Sequence, residues 1–268
     1  MKVAIFGQAF YPDSAKYLNQ IINVFQKKKI NFLFEKGYLE LILKNHFLDE
    51  SNGFETFETI DSSFDLFFSL GGDGTILSSV KFVKAVDIPI VGINTGRLGF
   101  LATIHKDEVS SSINDILNGD YSISERSLLE VKSTDEKFNA QKFNYALNEV
   151  TISRKDTTSM ISSTGYSLSC GGPIITPQTK SFVLSPIAPH NLSARPLVVP
   201  DKTEVKLKIS GRENNFLISM DSRINTLSQD DDILIKKADF NIKLVSHKDN
   251  SFLKTLRSKL LWGKDQRN

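Results

Sequence analysis

The sequence predicts an α/β domain followed by an all-β domain, with a last helix returning to the first. Three observations carry this. Up to about residue 122, short apolar runs alternate with segments of helical spacing. Beyond it, strand patterns follow one another almost without interruption. At the end Phe252, Leu253, Leu256, Leu260 and Leu261 restore an apolar helical stripe that needs a surface to cover it. The expected domains are therefore 1–122, 123–248, and a helix over 249–268 that packs on the first.

Lys2 to Phe6 is an apolar run short enough for a buried strand, and Tyr17, Leu18, Ile21, Ile22 and Phe25 then recur at helical spacing. Asn31 to Phe34 reads as a second strand. Asp65 to Leu70 reads as another, too continuously apolar at Leu66, Phe67 and Phe68 to be half exposed, so its sheet must be covered on both faces. Ile76, Leu77, Val80 and Val83 form a helical stripe before strand character returns at Ile88 to Ile93, which completes a βαβ unit. A further helix is expected from Asp107 to Asn118, with Gly119 as its stop. This alternation gives a Rossmann-like, mostly parallel sheet. The second half carries strands at Leu128 to Lys132, Phe143 to Ser153, Ser181 to Ser185, Glu204 to Ile209, Asn215 to Met220, Asp232 to Ile235 and Asn241 to Val245.

Composition narrows the function. The 33 lysines and arginines nearly balance 31 acidic residues, and a formal charge of +2 leaves no electrostatic footprint for nucleic acid or an anionic membrane. The single cysteine, Cys170, forms no intrachain disulfide, and four scattered histidines offer no structural-zinc spacing, which fits a reducing cytoplasm. Gln8, Tyr11, Pro12 and Asp13 interrupt the opening apolar run where a signal peptide would continue, and no later run approaches the roughly 18 apolar residues of a membrane span.

The chemical centre is Gly71-Gly72-Asp73-Gly74-Thr75, set between a buried strand and a helix. Glycines allow a sharp turn and let phosphate approach peptide N–H groups, and a helix start adds partial positive charge. Asp73 does not belong in a site built only for phosphate, because its charge repels the ligand unless it holds a metal or takes a proton. It is the candidate catalytic residue: a carboxylate beside an alcohol accepts the proton as the oxygen attacks a terminal phosphoryl group. Asp-Gly is also a favoured hairpin pair, but Thr75 to Val86 has helical spacing rather than that of a returning strand. No GxxxxGK[ST] occurs, so the ordinary P-loop is excluded.

Further blocks follow in order: Asn94-Thr95-Gly96-Arg97-Leu98-Gly99-Phe100-Leu101; Asn148-Glu149; Thr164-Gly165-Tyr166-Ser167-Leu168-Ser169 leading into Gly171-Gly172-Pro173-Ile174; Ser185-Pro186-Ile187-Ala188-Pro189-His190; and Asn191-Leu192-Ser193-Ala194-Arg195-Pro196-Leu197. Together with the glycine–aspartate turn they resemble the NAD kinase family over most of the chain. The turn alone also resembles diacylglycerol and sphingosine kinases, which share the fold family; the other blocks, and the lack of an amphipathic membrane-docking helix, separate this chain from those lipid kinases.

The resemblance implies an active site in a cleft between the two domains and a homo-oligomer, dimer or tetramer. It implies phosphoryl transfer from ATP, or another phosphate donor, to the 2'-hydroxyl of the adenosine ribose of NAD, with Mg2+ or another divalent metal. Asp73 would accept the hydroxyl proton, while Gly71, Gly72 and Thr75 shape the phosphate loop. Gly74, Asn148, Glu149, Thr164, Gly165, Tyr166, Ser167, Leu168 and Ser169 would bind substrate. An Asn offers donor and acceptor together, and an ionised Glu accepts from ribose hydroxyls. Arg97, His190 and Arg195 stay outside the predicted site.

One departure stands out. Family members carry a further hairpin, with an Asp-Gly step and a Thr-Pro-Thr-Gly turn, before the Thr-Gly-Tyr block. Here Ser159-Met160-Ile161 runs directly into Ser162-Ser163-Thr164. The intact protein is expected to carry the missing segment, of roughly three or four average strand lengths. A true deletion would instead leave room for a non-catalytic sensor of NAD or NADP.

Overall fold

The structure is a computed structural model that describes residues 1–11, 14–48, 53–84, 86–96, 99–102, 104–105, 108–141, 143–154, 170–187, 193–210, 214–221, 223–246 and 252–260. The first elements are β1 (Lys2–Gly7), α1 (Ala15–Lys27), β2 (Asn31–Glu35), α2 (Lys36–Lys44), β3 (Thr56–Phe57), β4 (Leu66–Leu70), α3 (Asp73–Val83), β5 (Ile90–Asn94), β6 (Ile104–His105) and α4 (Val109–Leu117). Then follow β7 (Ser122–Ser133), α5 (Glu136–Asn139), β8 (Tyr145–Ala146), β9 (Val150–Arg154), β10 (Ser181–Leu184), β11 (Leu197–Pro200), β12 (Val205–Leu207), β13 (Asn215–Met220), β14 (Arg223–Ser228), β15 (Ile233–Ser246) and a final helix α6 (Phe252–Leu260). The chain divides into two compact units, Met1–Glu125 with Ile242–Asn268, and Arg126–Asn241. It leaves the first unit within β7 and re-enters it within β15.

In the first unit the strands run in the order β3-β2-β1-β4-β5, all parallel. The side of β5 away from β4 carries β6 and, at Leu244 beside Ile90, the end of β15. Parallel neighbours need crossovers, and α1, α2 and α3 supply them. Phe67 and Phe68 show why β4 lacks alternation. Consecutive strand residues point to opposite faces; Phe68 meets Phe25 of α1 edge-on at 5.1 Å, and Phe67 stacks on Phe82 of α3 at 5.7 Å. Both rings are fully buried, each contributing about 1.5–3 kcal/mol over an exposed side chain. Phe252 of α6 lies 6.2 Å from Phe100, a ring contact within the same unit.

Helix α2 has no counterpart in the sequence reading. It begins directly where β2 ends, with no intervening turn, and Glu35 caps it by accepting the Tyr38 N–H at 2.8 Å. Gly37 sits in its first turn, and its apolar run Leu39-Glu40-Leu41-Ile42-Leu43 spreads over more than one face, with Leu41 exposed and Ile42 buried, so periodicity does not declare it.

The second unit is mostly antiparallel strands: β9-β13-β14, the β10-β11 ribbon, and the pairs β7-β8 and β12-β15. Val131, Phe138, Ala146, Phe216, Ile218, Met220, Leu227 and Ile233 form its core. Two sequence expectations need correction. Asp232 to Ile235 and Asn241 to Val245 are one strand, β15, whose Lys236 and Lys237 disguise its continuity; Lys237 pairs with the buried Asp201 at 2.6 Å. Conversely, Phe143 to Ser153 is two strands, interrupted at Leu147-Asn148-Glu149.

Candidate active site

In the first unit the chain moves outward from β1 to β3, then returns to pair β4 on the other side of β1. Between the carboxyl ends of β1 and β4 the connections diverge, which is where open parallel sheets bind ligands. The Gly71–Thr75 turn follows β4 at this point. Gln8, just past β1, donates to Ser78 Oγ of α3 at 2.7 Å. Gly71 has φ of +149°, and a Cβ there would lie 2.2 Å from Thr75 Oγ1, so only glycine fits. A Cβ on Gly72 or Gly74 would meet nothing within 4 Å, so these two glycines leave open space at the start of α3. That helix start presents N–H groups and partial positive charge, the complement of a phosphate.

Asp73 is the first residue of α3, and its carboxylate is fastened to the chain. Oδ1 accepts the N–H groups of Leu101 at 3.0 Å and Ala102 at 3.1 Å, and Oδ2 accepts that of Phe100 at 2.7 Å. Such close approach of backbone to carboxylate requires Gly99, where a Cβ would stand 1.8 Å from Oδ1. Gly92 on β5 has a related role, since a Cβ there would lie 2.9 Å from the Ala102 backbone. Asn94 holds the other end of the loop by accepting the Gly96 N–H at 2.8 Å. The Asn94–Leu101 block and the glycine–aspartate turn thus form one device in which a loop grips the carboxylate. A carboxylate has roughly four lone-pair directions; the described residues of the loop occupy three, and among the described residues the remaining one, on Oδ2, is not taken.

In the second unit Asn148 and Glu149 sit in the break between β8 and β9. Asp221 causes the break. Its Oδ2 accepts the Leu147 N–H at 3.0 Å, and its Oδ1 accepts those of Asn148 at 2.8 Å and Glu149 at 3.2 Å. Those amides are therefore withheld from any strand ladder. The Asp221 N–H returns a bond to the Glu149 carbonyl at 2.9 Å. Asp221 lies between β13 and β14 with a left-handed φ of 54°, a backbone state that Asp tolerates. Arg223 adds to the docking by donating to the carbonyls of Phe143 and Tyr145 and lying over the Phe143 ring.

Glu149 Oε1 is buried with no hydrogen-bond partner among the described residues. Burial, and then the charge of Asp221, raise its carboxyl above the ordinary value. Burial also raises Asp221, and the three N–H bonds and Arg223 offset this in part.

Of the predicted site, Gly71, Gly72, Asp73, Gly74 and Thr75 come together in the first unit, and Asn148 and Glu149 in the second. Thr164, Gly165, Tyr166, Ser167, Leu168 and Ser169 lie outside the described residues, as do Arg97 and His190. Sequence reasoning missed Gly99 as the residue that admits Asp73, and it missed Asp221. A hairpin-turn Asp carries no sign of partners more than seventy positions earlier.

Comparison with known proteins places the chain in a family. The ATP-NAD kinase N-terminal domain matches residues 16–121, and the ATP-NAD kinase C-terminal domain matches residues 125–247. A NAD kinase of Christiangramia forsetii is 47% identical over 294 aligned positions that cover 100% of both chains. This chain has 268 residues, so 294 less 268 leaves 26 positions that it does not fill. The crystal structure of yeast NADH kinase complexed with NADH superposes with a TM-score of 0.82 at 20% identity, covering 100% of this chain and 89% of that one. An NAD kinase from Archaeoglobus fulgidus in complex with ATP gives 0.70 at 21% identity, covering 97% and 99%. At those identities the likeness is one of fold. With both halves matched and a relative 47% identical along its whole length, the chain belongs to the ATP-NAD kinase family.

Proposed function

We propose that the chain transfers the terminal phosphoryl group of ATP to the 2'-hydroxyl of the adenosine ribose of NAD, giving NADP and ADP. The observation that carries this reading is the Asp73 carboxylate, held by three backbone N–H groups with one direction on Oδ2 not taken by any described residue, at the start of a helix whose glycines leave room for phosphate. As the 2'-oxygen bonds to the terminal phosphorus, the bond from that phosphorus to the bridging oxygen breaks. The hydroxyl proton passes to Asp73, and the electron pair leaves on ADP. General-base help of this kind contributes ~10²- to 10⁴-fold in rate. The backbone N–H groups at the start of α3, with Gly71, Gly72, Gly74 and Thr75, hold the phosphates, while Asn148 and Glu149 hold the dinucleotide. Thr164, Gly165, Tyr166, Ser167, Leu168 and Ser169 belong to the same reading as substrate-binding residues.

Magnesium or another divalent cation would offset the phosphate charge. Among the described residues no three His, Cys, Asp or Glu side chains gather in one place, so its ligands would come chiefly from phosphate oxygens and water, as magnesium favours. A homo-oligomer, dimer or tetramer, fits the β10-β11 ribbon, where Leu184, Leu197 and Val198 are exposed in the isolated chain; light scattering on the purified protein reads the number of subunits. Cytoplasmic residence fits the lone Cys170.

The test is formation of NADP from NAD, ATP and magnesium by the purified chain. Asp73→Asn keeps the size of the side chain and removes the base. Turnover near the unmodified level in a folded variant would remove Asp73 from the mechanism.

A further inference from the structure

We propose that Asp221 is a positioning residue of the dinucleotide site, fixing the Leu147-Asn148-Glu149 turn so that the Asn148 amide and the Glu149 carboxyl are presented before the ligand arrives. The proposal rests on the functional reading above and adds to it a residue outside the motifs named in the sequence.

The geometry argues for a fixed turn. Three consecutive amides converge on one carboxylate, and the Asp221 N–H bonds back to the Glu149 carbonyl, so the turn and the β13-β14 hairpin hold each other at four points. The hairpin end is itself braced: Ser219 Oγ donates to the Asp221 carbonyl at 2.8 Å, and Ser219 and Asp221 are both buried. Arg223, two residues further on, ties down the chain leading into the turn at Phe143 and Tyr145. Hydrogen bonds to an ionised acceptor are roughly twice as strong as neutral ones. A turn held this way does not have to be ordered by the ligand, and that is how preorganisation improves binding.

Asparagine cannot replace Asp221 here. Oδ1 takes two of the three N–H groups and Oδ2 takes the third. An amide placed either way sets its NH2 against at least one backbone N–H, so at least one bond becomes a donor–donor clash and the charge is lost as well. Loss of one charge-assisted bond at a group that positions ligand contacts corresponds to roughly a tenfold or greater effect on affinity.

The experiment measures steady-state kinetics of the full chain and its Asp221→Asn variant for both substrates. KM for NAD is expected to rise roughly tenfold or more, with kcat and the KM for ATP changed far less, since removed ground-state contacts appear in KM. Adding Glu149→Gln to Asp221→Asn should then cost less than Glu149→Gln alone, because a displaced turn no longer presents that carboxyl. A lower melting temperature with unchanged KM for NAD, or additive effects in the double variant, would show a purely structural role and overturn the proposal. Should Asp221→Asn fail to fold, amide hydrogen exchange on the unmodified, unliganded protein decides: slow exchange at Leu147, Asn148 and Glu149 upholds the clamp, and loop-like fast exchange sinks it. If the unmodified chain makes no NADP, the functional reading falls by itself, and the exchange measurement still judges the turn.

Discussion

Gly99→Ala separates the position of the Asp73 carboxylate from its chemistry. The new methyl would stand 1.8 Å from Oδ1 and 2.5 Å from Cγ, so carboxylate and loop cannot keep their present approach. Whichever yields, Oδ1 loses its bonds from Leu101 and Ala102. Bonds to a charged acceptor contribute about 1.5–3 kcal/mol each, so losing both costs about 3–6 kcal/mol. For a unit of this size that lowers the melting temperature by roughly 6 °C or more. If Asp73 is the base, its displacement also removes part of the ~10²- to 10⁴-fold assistance, although the variant retains the carboxyl group itself. The assay pairs a thermal melt with the initial rate of NADP formation at saturating NAD and ATP. A variant that melts within ~2 °C of the unmodified protein with unchanged kcat would refute both the grip of the loop and the catalytic importance of where the carboxylate sits.

Gly71→Ala forces a side chain into a left-handed backbone and against Thr75 Oγ1; a loss of about 1–3 kcal/mol is expected, read by denaturant unfolding, together with a raised KM for ATP. Glu149→Gln should melt higher than the unmodified protein near neutral pH. The carboxyl is held above its ordinary 4.5, so from 4.5 upward to its raised value the folded state binds more protons than the unfolded one, and stability falls as pH rises through that window. The advantage of the variant should shrink as pH is lowered toward 4.5, and identical pH dependence in the two proteins would contradict the reading. Intact mass is expected to exceed the 30.0 kDa of these residues, and a mass spectrum at that value would mean that the shortening before the Thr-Gly-Tyr block is real.

Much of the first unit was legible because its determinants are local. The continuous run at Phe67-Phe68 announces a strand covered on both faces, and Ile76, Leu77, Val80 and Val83 announce the helix after it. Apart from helix α2, what escapes around the candidate site is decided by distant partners. Phe143 to Ser153 has strand composition throughout, and nothing within it shows that a carboxylate more than seventy residues later takes three of its amides. The same holds for Gly99: its motif was noticed, but the reason for a glycine is the Asp73 oxygen, twenty-six positions earlier, that a Cβ would strike. Strand β15 follows the same rule: Lys236 and Lys237 break its apolar pattern, and the partner that accommodates Lys237, the buried Asp201, is distant in sequence.

Asp73 and Asp221 use the same local device, a carboxylate capped by three consecutive backbone N–H groups, one in each unit. Their settings assign them different work. Asp73 is only half-buried and begins a helix whose neighbouring glycines face open space, so the acceptor direction left on Oδ2 can be met by an incoming hydroxyl. Asp221 is buried and bonded back through its own amide, so its carboxylate serves the chain, and the group it leaves available is the neighbouring Glu149. A buried carboxyl oxygen without a partner costs stability. A cost of that kind, held in place by four hydrogen bonds that could have joined ordinary strands instead, supports the proposal that Glu149 is kept for a ligand.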